Sequence, residues 1–275
     1  MLLTPSAILP KRPVTINTEW WLQQNFDALK LGVSQAHFAR HAEAEFFPGG
    51  LACSTTAALV GEFSWFKDYT SNHLVFSVWA NTAGGAQHFL FRGQNATVSV
   101  LAALEITAAD KFRFRWANAA GTIVADVITN AAITTGSLIN ICGYVELTTP
   151  SAVIYVNESL VATTDTILTA DAELFTGHAR WGINGSPLDS TGKTSFSIAE
   201  LFIDIDPLMS DTTILPATFV EDSLPKDLGF IGHLPFATTP SIYCTGLGPG
   251  FQNVGRAGKL FNVTGAGVPT TLLGV

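Results

Sequence analysis

Charge is scarce in this sequence. Only 13% of its 275 residues are Asp, Glu, Lys or Arg, while 47% are hydrophobic; ordinary globular chains carry about 25% charged residues. Such a chain covers its outside with neutral residues or buries part of it against other subunits, because free monomers rarely leave wide apolar patches in water. Positive charge is scarcer still. Against 22 Asp and Glu stand 14 Lys and Arg, a formal net charge of −8, and the nearest things to a basic cluster are Lys11–Arg12 and the group Lys111, Arg113, Arg115. A nucleic-acid partner, which needs a concentrated basic face, is not expected.

Cysteine is equally sparse. Cys53, Cys142 and Cys244 are the only three, widely spaced and without a Cys-x-x-Cys, which excludes a disulfide framework and a zinc site and leaves buried free thiols as the expectation. No apolar run approaches the roughly 20 residues that span a bilayer, so no membrane partner is expected. The opening Met-Leu-Leu-Thr-Pro-Ser-Ala-Ile-Leu-Pro-Lys-Arg lacks the basic start and long apolar run of a signal peptide. The expectation is synthesis in a cytoplasm without export by the usual route, which makes the sequons at Asn95, Asn157 and Asn262 coincidental.

Several chemistries lack their motifs. There is no Gly-x-Ser-x-Gly elbow for a serine nucleophile. Gly248-Pro-Gly250 and Gly255-Arg-Ala-Gly258 are turns rather than phosphate loops, since no Gly-Lys-Ser/Thr follows a strand. His37 and His41 have helical i, i+4 spacing but not the His-Glu-x-x-His pattern of a metal helix; they read as a solvated face. No tight Asp/Asn cluster offers itself to calcium. No metal and no cofactor are expected.

What the sequence does have is strands. Val60–Phe66, Leu74–Ala80, Gln87–Arg92, Thr97–Leu101, Lys111–Ala117, Thr122–Ile128, Leu138–Leu147, Ala152–Val156, Ala179–Ile183 and Phe196–Ile205 are short and rich in Val, Ile, Phe, Thr and Trp. Turn sequences such as Asn118-Ala-Ala-Gly121, Asn157-Glu-Ser159 and Asn184-Gly185 separate them, the texture of an all-β sandwich. In Phe112-Arg113-Phe114-Arg115-Trp116 the aromatics take one face and the arginines the other. Leu74, Phe76, Val78 and Ala80 likewise share one face and Val75, Ser77 and Trp79 the other, which predicts sheets with one face in a core and one against water. Between Asp165 and Gly177 a single helical turn is the expectation.

Three textures divide the chain: an N-terminal arm over residues 1–50, with a turn or two of helix between Gln35 and Phe47; a sandwich over 51–208; and a Pro/Gly-rich extended tail over 209–275. The tail holds too many apolar residues for a disordered linker, so it is expected to dock on the sandwich or on neighbours through Phe219, Phe230, Phe236, Phe251 and Phe261.

The order of pieces Phe76-Ser-Val-Trp-Ala80, Phe89-Leu-Phe-Arg-Gly93, Phe112-Arg-Phe-Arg-Trp116, Ile139-Asn-Ile-Cys-Gly-Tyr144, Ile154-Tyr-Val-Asn-Glu158, Ala179-Arg-Trp-Gly-Ile-Asn-Gly185 and Ile198-Ala-Glu-Leu-Phe-Ile203 resembles laminin-G-like, concanavalin-A-like domains. The stretch from Phe219-Val-Glu-Asp through Leu224-Pro-Lys-Asp-Leu-Gly229, Gly232-His-Leu-Pro235, Pro240-Ser-Ile-Tyr-Cys244 and Phe251-Gln-Asn-Val-Gly255 to Phe261-Asn-Val-Thr-Gly265 looks like the tail that follows such domains in tailed-bacteriophage virion proteins. The resemblance implies an antiparallel jelly-roll β-sandwich in a virion, with other virion proteins and copies of itself as partners. The expected role is structural, through subunit contacts in the particle, and the alternative is an adhesin for a host surface glycan.

A glycan hydrolase is the third reading, and not the expected one. Glycosidases need two carboxylates about 5–5.5 Å apart, or wider for inversion, and the glucanase branch of the fold carries Glu-x-Asp-x-x-Glu on one strand; here Glu200, Asp204 and Asp206 have a different spacing. For a ligand or interface face the candidates are Trp79, Arg113, Arg115, Tyr155 and Asn157. Aromatic rings and planar polar groups suit a sugar, and Trp, Tyr and Arg are equally enriched at subunit contacts.

Overall fold

The computed structural model describes residues 51–56, 58–61, 70–94, 102–118, 120–170, 174–175, 180–186, 191–205, 211–221, 223–226, 242–245, 252–253 and 262–264. The expected arm over 1–50 and its helical turns lie outside them. The strands in chain order are β1 (Leu51–Cys53), β2 (Ala58–Gly61), β3 (Thr70–Ser71), β4 (His73–Thr82), β5 (His88–Gln94), β6 (Ala102–Ile106), β7 (Phe112–Ala117), β8 (Ile123–Thr129), β9 (Ile139–Glu146) and β10 (Ser151–Val156). They continue with β11 (Ser159–Leu160), β12 (Thr163–Leu168), β13 (Leu174–Phe175), β14 (Arg180–Ile183), β15 (Phe196–Ile205), β16 (Val220–Glu221), β17 (Leu224–Pro225), β18 (Ile242–Thr245), β19 (Gln252–Asn253) and β20 (Asn262–Thr264). Among the described residues the only α-helix is α1 (Leu215–Phe219), entered through a 3₁₀ turn at Thr212–Ile214.

β3 with β13 and β16 with β17 form two small two-stranded sheets, and the other sixteen strands build two large antiparallel ones. The first has the order β11-β10-β9-β4-β15-β18-β19, with β1 also on β15; the second runs β12-β8-β7-β6-β5-β14-β2-β20. The fold is the jelly-roll β-sandwich that the strand texture implied. The expected tail contributes strands to both layers: β18 lies against β15 in one sheet and β20 against β2 in the other.

The inner faces follow from alternation. From the first sheet come Leu74, Phe76, Val78, Ile139, Ile141, Val145, Leu201 and Ile203; from the second come Leu104, Phe112, Phe114, Trp116, Val127, Phe91 and Trp181. Aromatic rings cross the interlayer in a run. Phe76 stacks on Phe112 at 5.4 Å and on Phe114 at 5.6 Å, Phe114 on Trp116 at 5.7 Å, Phe91 on Trp116 at 5.9 Å, and Phe91 meets Trp181 at 6.0 Å. These separations are those at which offset rings attract. Gly143, paired with Phe76 across β9 and β4, makes the run possible. A Cβ there would lie 2.6 Å from Phe76 Cζ and 2.7 Å from the Val153 carbonyl oxygen.

Two expectations need correction. The face of β4 carrying Val75, Ser77 and Trp79 is not in water: all three residues are buried. Leu215 and Phe219 of α1 pack on Val75, Cys142, Tyr144, Tyr155 and Phe202, and the Phe219 and Phe202 rings lie 5.0 Å apart. Asp211 caps the 3₁₀ turn that leads into α1, its Oδ1 accepting from the Thr213 backbone N–H at 2.9 Å, and Pro216 occupies the first turn of α1, where no donor is missed. In the stretch between Asp165 and Gly177, where a helical turn is expected, residues 171–173 and 176–177 lie outside the described residues, Leu174–Phe175 is β13, and the first part belongs to β12, an edge strand on β8. Its Thr and Ile residues are β-branched, and an edge strand tolerates the exposed Thr164, Asp165 and Thr166 that made it look unlike a strand. The strand expected over Thr97–Leu101 lies outside the described residues; Ala102–Ile106, a buried strand of low β-propensity residues, follows directly.

Buried polar groups tie the loops at one end. Asn184, at a positive φ of 66° beside Gly185, donates through Nδ2 to the Ser54 carbonyl at 2.7 Å and accepts from the Thr194 N–H through Oδ1 at 2.7 Å. His88 Nδ1 lies 2.8 Å from Thr194 Oγ1, and its ring meets Phe196 edge-on. Burial holds the His88 pKa below its ordinary 6.5, partly offset by Asp110. The thiol of Cys142 is buried and pushed up to about 12, first by burial and then by Glu158; Cys53 is likewise buried and raised.

Two outcomes follow. Gly143→Ala forces its methyl against a backbone carbonyl that cannot step aside, and overpacking of this kind costs about 2–3 kcal/mol; urea denaturation will show the lowered midpoint. His88 stays neutral in the folded chain while the unfolded chain takes up a proton below pH 6.5. Stability present above that pH therefore falls as pH drops toward the depressed folded value, and His88→Leu flattens this part of the profile in denaturation runs between pH 7.5 and 5.

Candidate functional site

The outward face of the second sheet is where polar chemistry collects. Ladder registers set its side chains in two rows across the strands. One row runs Ile167, Asp126, Arg115, Ala103, Arg92; the other runs Thr164, Ile128, Arg113, Glu105, Phe89. Arg113 and Arg115 face outward because Phe112, Phe114 and Trp116 have taken the inner face.

Opposite charges on neighbouring strands bond as geometry allows. Arg113 grips Asp126 with both ends of its fork, Nε to Oδ1 at 2.7 Å and Nη2 to Oδ2 at 2.5 Å. Its Nη1 lies 3.5 Å from Glu105 Oε1, and Gln87 Nε2 donates to Glu105 Oε2 at 2.7 Å. Arg115 Nε stands 3.5 Å from Asp126 Oδ2. The Arg92 guanidinium lies over the Phe89 ring, 4.7 Å from its centre. Glu105 is 2% exposed and Asp126 is 5% exposed, while the side chains of Arg113 and Arg115 show 27% and 25% of their surface. The hydrogen bond to Asp126 above all raises the Arg113 pKa. Fixed planar donors thus lie at the surface, backed by carboxylates beneath, an arrangement that binds planar polar or anionic groups.

The five candidate site residues do not share one surface. Arg113 and Arg115 sit in this network. Trp79 and Tyr155 lie on the outer side of the first sheet and are buried, Trp79 donating from Nε1 to the Phe219 carbonyl at 3.4 Å. Asn157, in the β10–β11 turn at a positive φ of 45°, accepts from the Asn140 N–H through Oδ1 at 3.0 Å. Of the tail phenylalanines, Phe219 is buried on the first sheet; Phe230, Phe236, Phe251 and Phe261 lie outside the described residues. Glu200 and Asp204 are 1% and 0% exposed on the first sheet, paired with Trp79 and Val75; Asp206 lies outside the described residues. Sequence reasoning missed Glu105, Asp126 and Gln87. The signal for Glu105 and Asp126 was a lone carboxylate inside an apolar strand, Ala-Ala-Leu-Glu-Ile and Val-Ala-Asp-Val-Ile, on either side of the arginine strand; Gln87 had none. Among the described residues no group of three His, Cys, Asp or Glu is placed to hold a metal.

Asp126→Ala leaves two guanidinium groups without the carboxylate that both approach. Losing a charge-assisted, half-buried pair costs about 2–3 kcal/mol. Thermal unfolding will show this loss, and Arg115→Ala, which removes a longer contact, will cost less.

No protein-family model matches the chain, and no curated protein matches it in sequence. Solved structures do match in shape. A protein of Bacteroides ovatus to which carbohydrate binding is provisionally ascribed superposes with a TM-score of 0.51 at 12% identity, over 81% of this chain and 59% of its own. A heptameric SAP-like pentraxin from Limulus polyphemus gives 0.47 at 9% identity, over 79% and 95%. Domains LG4-5 of the mouse laminin α1 chain give 0.40 at 16% identity, over 58% and 42%. At 12% identity the likeness to the Bacteroides ovatus protein is one of fold alone, and it agrees with the two antiparallel layers traced above.

Proposed function

We propose that the chain is a non-catalytic carbohydrate-binding module of a tailed-bacteriophage particle. The single observation that carries the binding reading is the Arg113–Asp126–Glu105–Arg115 network on the outer face of the second sheet. Sugars are recognised by planar polar groups held rigid before the ligand arrives, and paired carboxylates hold these guanidinium groups in place. The Bacteroides ovatus likeness supports the same reading. Burial of Glu200 and Asp204 on the other sheet supports a non-catalytic role, because a polysaccharide cannot reach them there. The phage setting rests on the tail motifs from Phe219-Val-Glu-Asp to Phe261-Asn-Val-Thr-Gly265.

A second reading, structural subunit contact within the particle, is favoured by the 13% charge content, which leaves a neutral surface suited to burial against neighbours. Glycan-array binding by the full chain tests the first. Signal on at least one glycan class is expected, weakened tenfold or more by Arg113→Ala and less by Arg113→Lys; background across the whole array sinks it. Light scattering over a wide concentration range tests the second, which a monomer at every concentration contradicts.

A further inference from the structure

An open sheet edge offers unpaired backbone donors and acceptors to any passing chain, and a very short edge strand is one way to avoid this. The first sheet ends on such a strand, β11, two residues long. The second ends on β12, six residues long, with no described strand beyond it. Its sequence, Thr163-Thr-Asp-Thr-Ile-Leu168, is rich in β-branched residues and holds neither Pro nor Gly. Thr164 through Ile167 are exposed, Ile167 by 39%, and Leu160, three residues before β12, by 65%. Six-residue stretches of this composition and low charge stack strand upon strand, and only 13% of the chain is charged. Length, propensity and exposure all invite a copy of this chain to add its own β12.

Two features oppose that addition. Asp165 carries the one charge on the strand. It pairs with Val127, whose side chain is in the core, so it stands on the core-facing side of β12 at the open rim of the sandwich. An added strand would enclose this carboxylate beside apolar groups, at a desolvation cost. Antiparallel pairing of two β12 strands centred on Asp165 also sets the two carboxylates opposite each other, which is destabilising. The second feature is Thr166: the register on β8 slips between Asp165 and Ile167, a bulge that bends the strand and interrupts its ladder. Among the described residues no ion pair or side-chain hydrogen bond engages Asp165, so its charge is not spent on holding the fold.

We propose that Asp165, with the bulge at Thr166, closes the β12 edge to further copies of this chain, and that copies which assemble do so through a different surface.

Sedimentation velocity of the full chain and its Asp165→Thr and Asp165→Lys variants, at matched concentrations, tests it. Asp165→Thr is expected to self-associate at least tenfold more tightly than the wild type while its melting temperature stays unchanged, since an exposed, unbonded side chain contributes little to stability. Asp165→Lys, which restores a charge of the other sign, is expected to sediment as the wild type does. Asp165→Thr sedimenting like the wild type overturns the proposal. So does Asp165→Lys associating as strongly as Asp165→Thr, because the charge would then not be the cause. Association accompanied by a lowered melting temperature counts against it as well, since unfolding would account for it. If Asp165→Thr does not fold, Asp165→Asn, the same shape without the charge, decides by the same comparison.

Discussion

The fold depends on the aromatic run between the two sheets. Phe76 touches Phe112 and Phe114, and the contact passes on through Trp116 and Phe91 to Trp181. These rings come from three strands of the second sheet and one of the first, so a shift of any strand by one residue would turn its rings outward. The stack therefore fixes register as well as spacing. Gly143 belongs to it, since the missing side chain is the room that Phe76 occupies.

With the inner faces committed, the two outer faces diverge. The first sheet presents Val75, Trp79, Tyr144, Tyr155 and Phe202, too apolar to leave in water. The short helix α1 covers this surface with Leu215 and Phe219, a second small core under a single turn of helix. The second sheet presents Arg113, Arg115, Glu105 and Asp126, whose opposite charges lie side by side across the strands. Where a helix lies on one side and a charged lattice on the other, recognition chemistry has only the second side available within the described residues. This asymmetry makes Arg113 and Arg115 candidates for binding and removes Trp79 and Tyr155 from that role.

Local sequence determined a good deal. Period-two alternation of bulky and polar residues is a property of the strand itself, and it placed Phe112, Phe114 and Trp116 inward and both arginines outward. Turn chemistry was equally local: Asn184-Gly185 and Asn157-Glu158 adopt positive φ where the sequence marked turns. The sparse, scattered cysteines pointed to buried thiols, and Cys53 and Cys142 are buried.

Tertiary structure decided what depends on partners distant in the chain. No local pattern tells that the Phe219 carbonyl will meet the Trp79 indole N–H, 140 residues away, because burial of a strand's second face depends on what arrives to cover it. The pairing of Arg113 with Glu105 and Asp126 depends on which strands become neighbours and in what register, and a lone carboxylate in an apolar strand reads the same beside an arginine as beside water. Thr163–Leu168 reads as a strand only once β8 lies next to it, since its own outward residues are as polar as a loop's. Alternation and turn preference act within a few residues and survive in the sequence; coverage, register and charge pairing are set by packing across the whole sandwich.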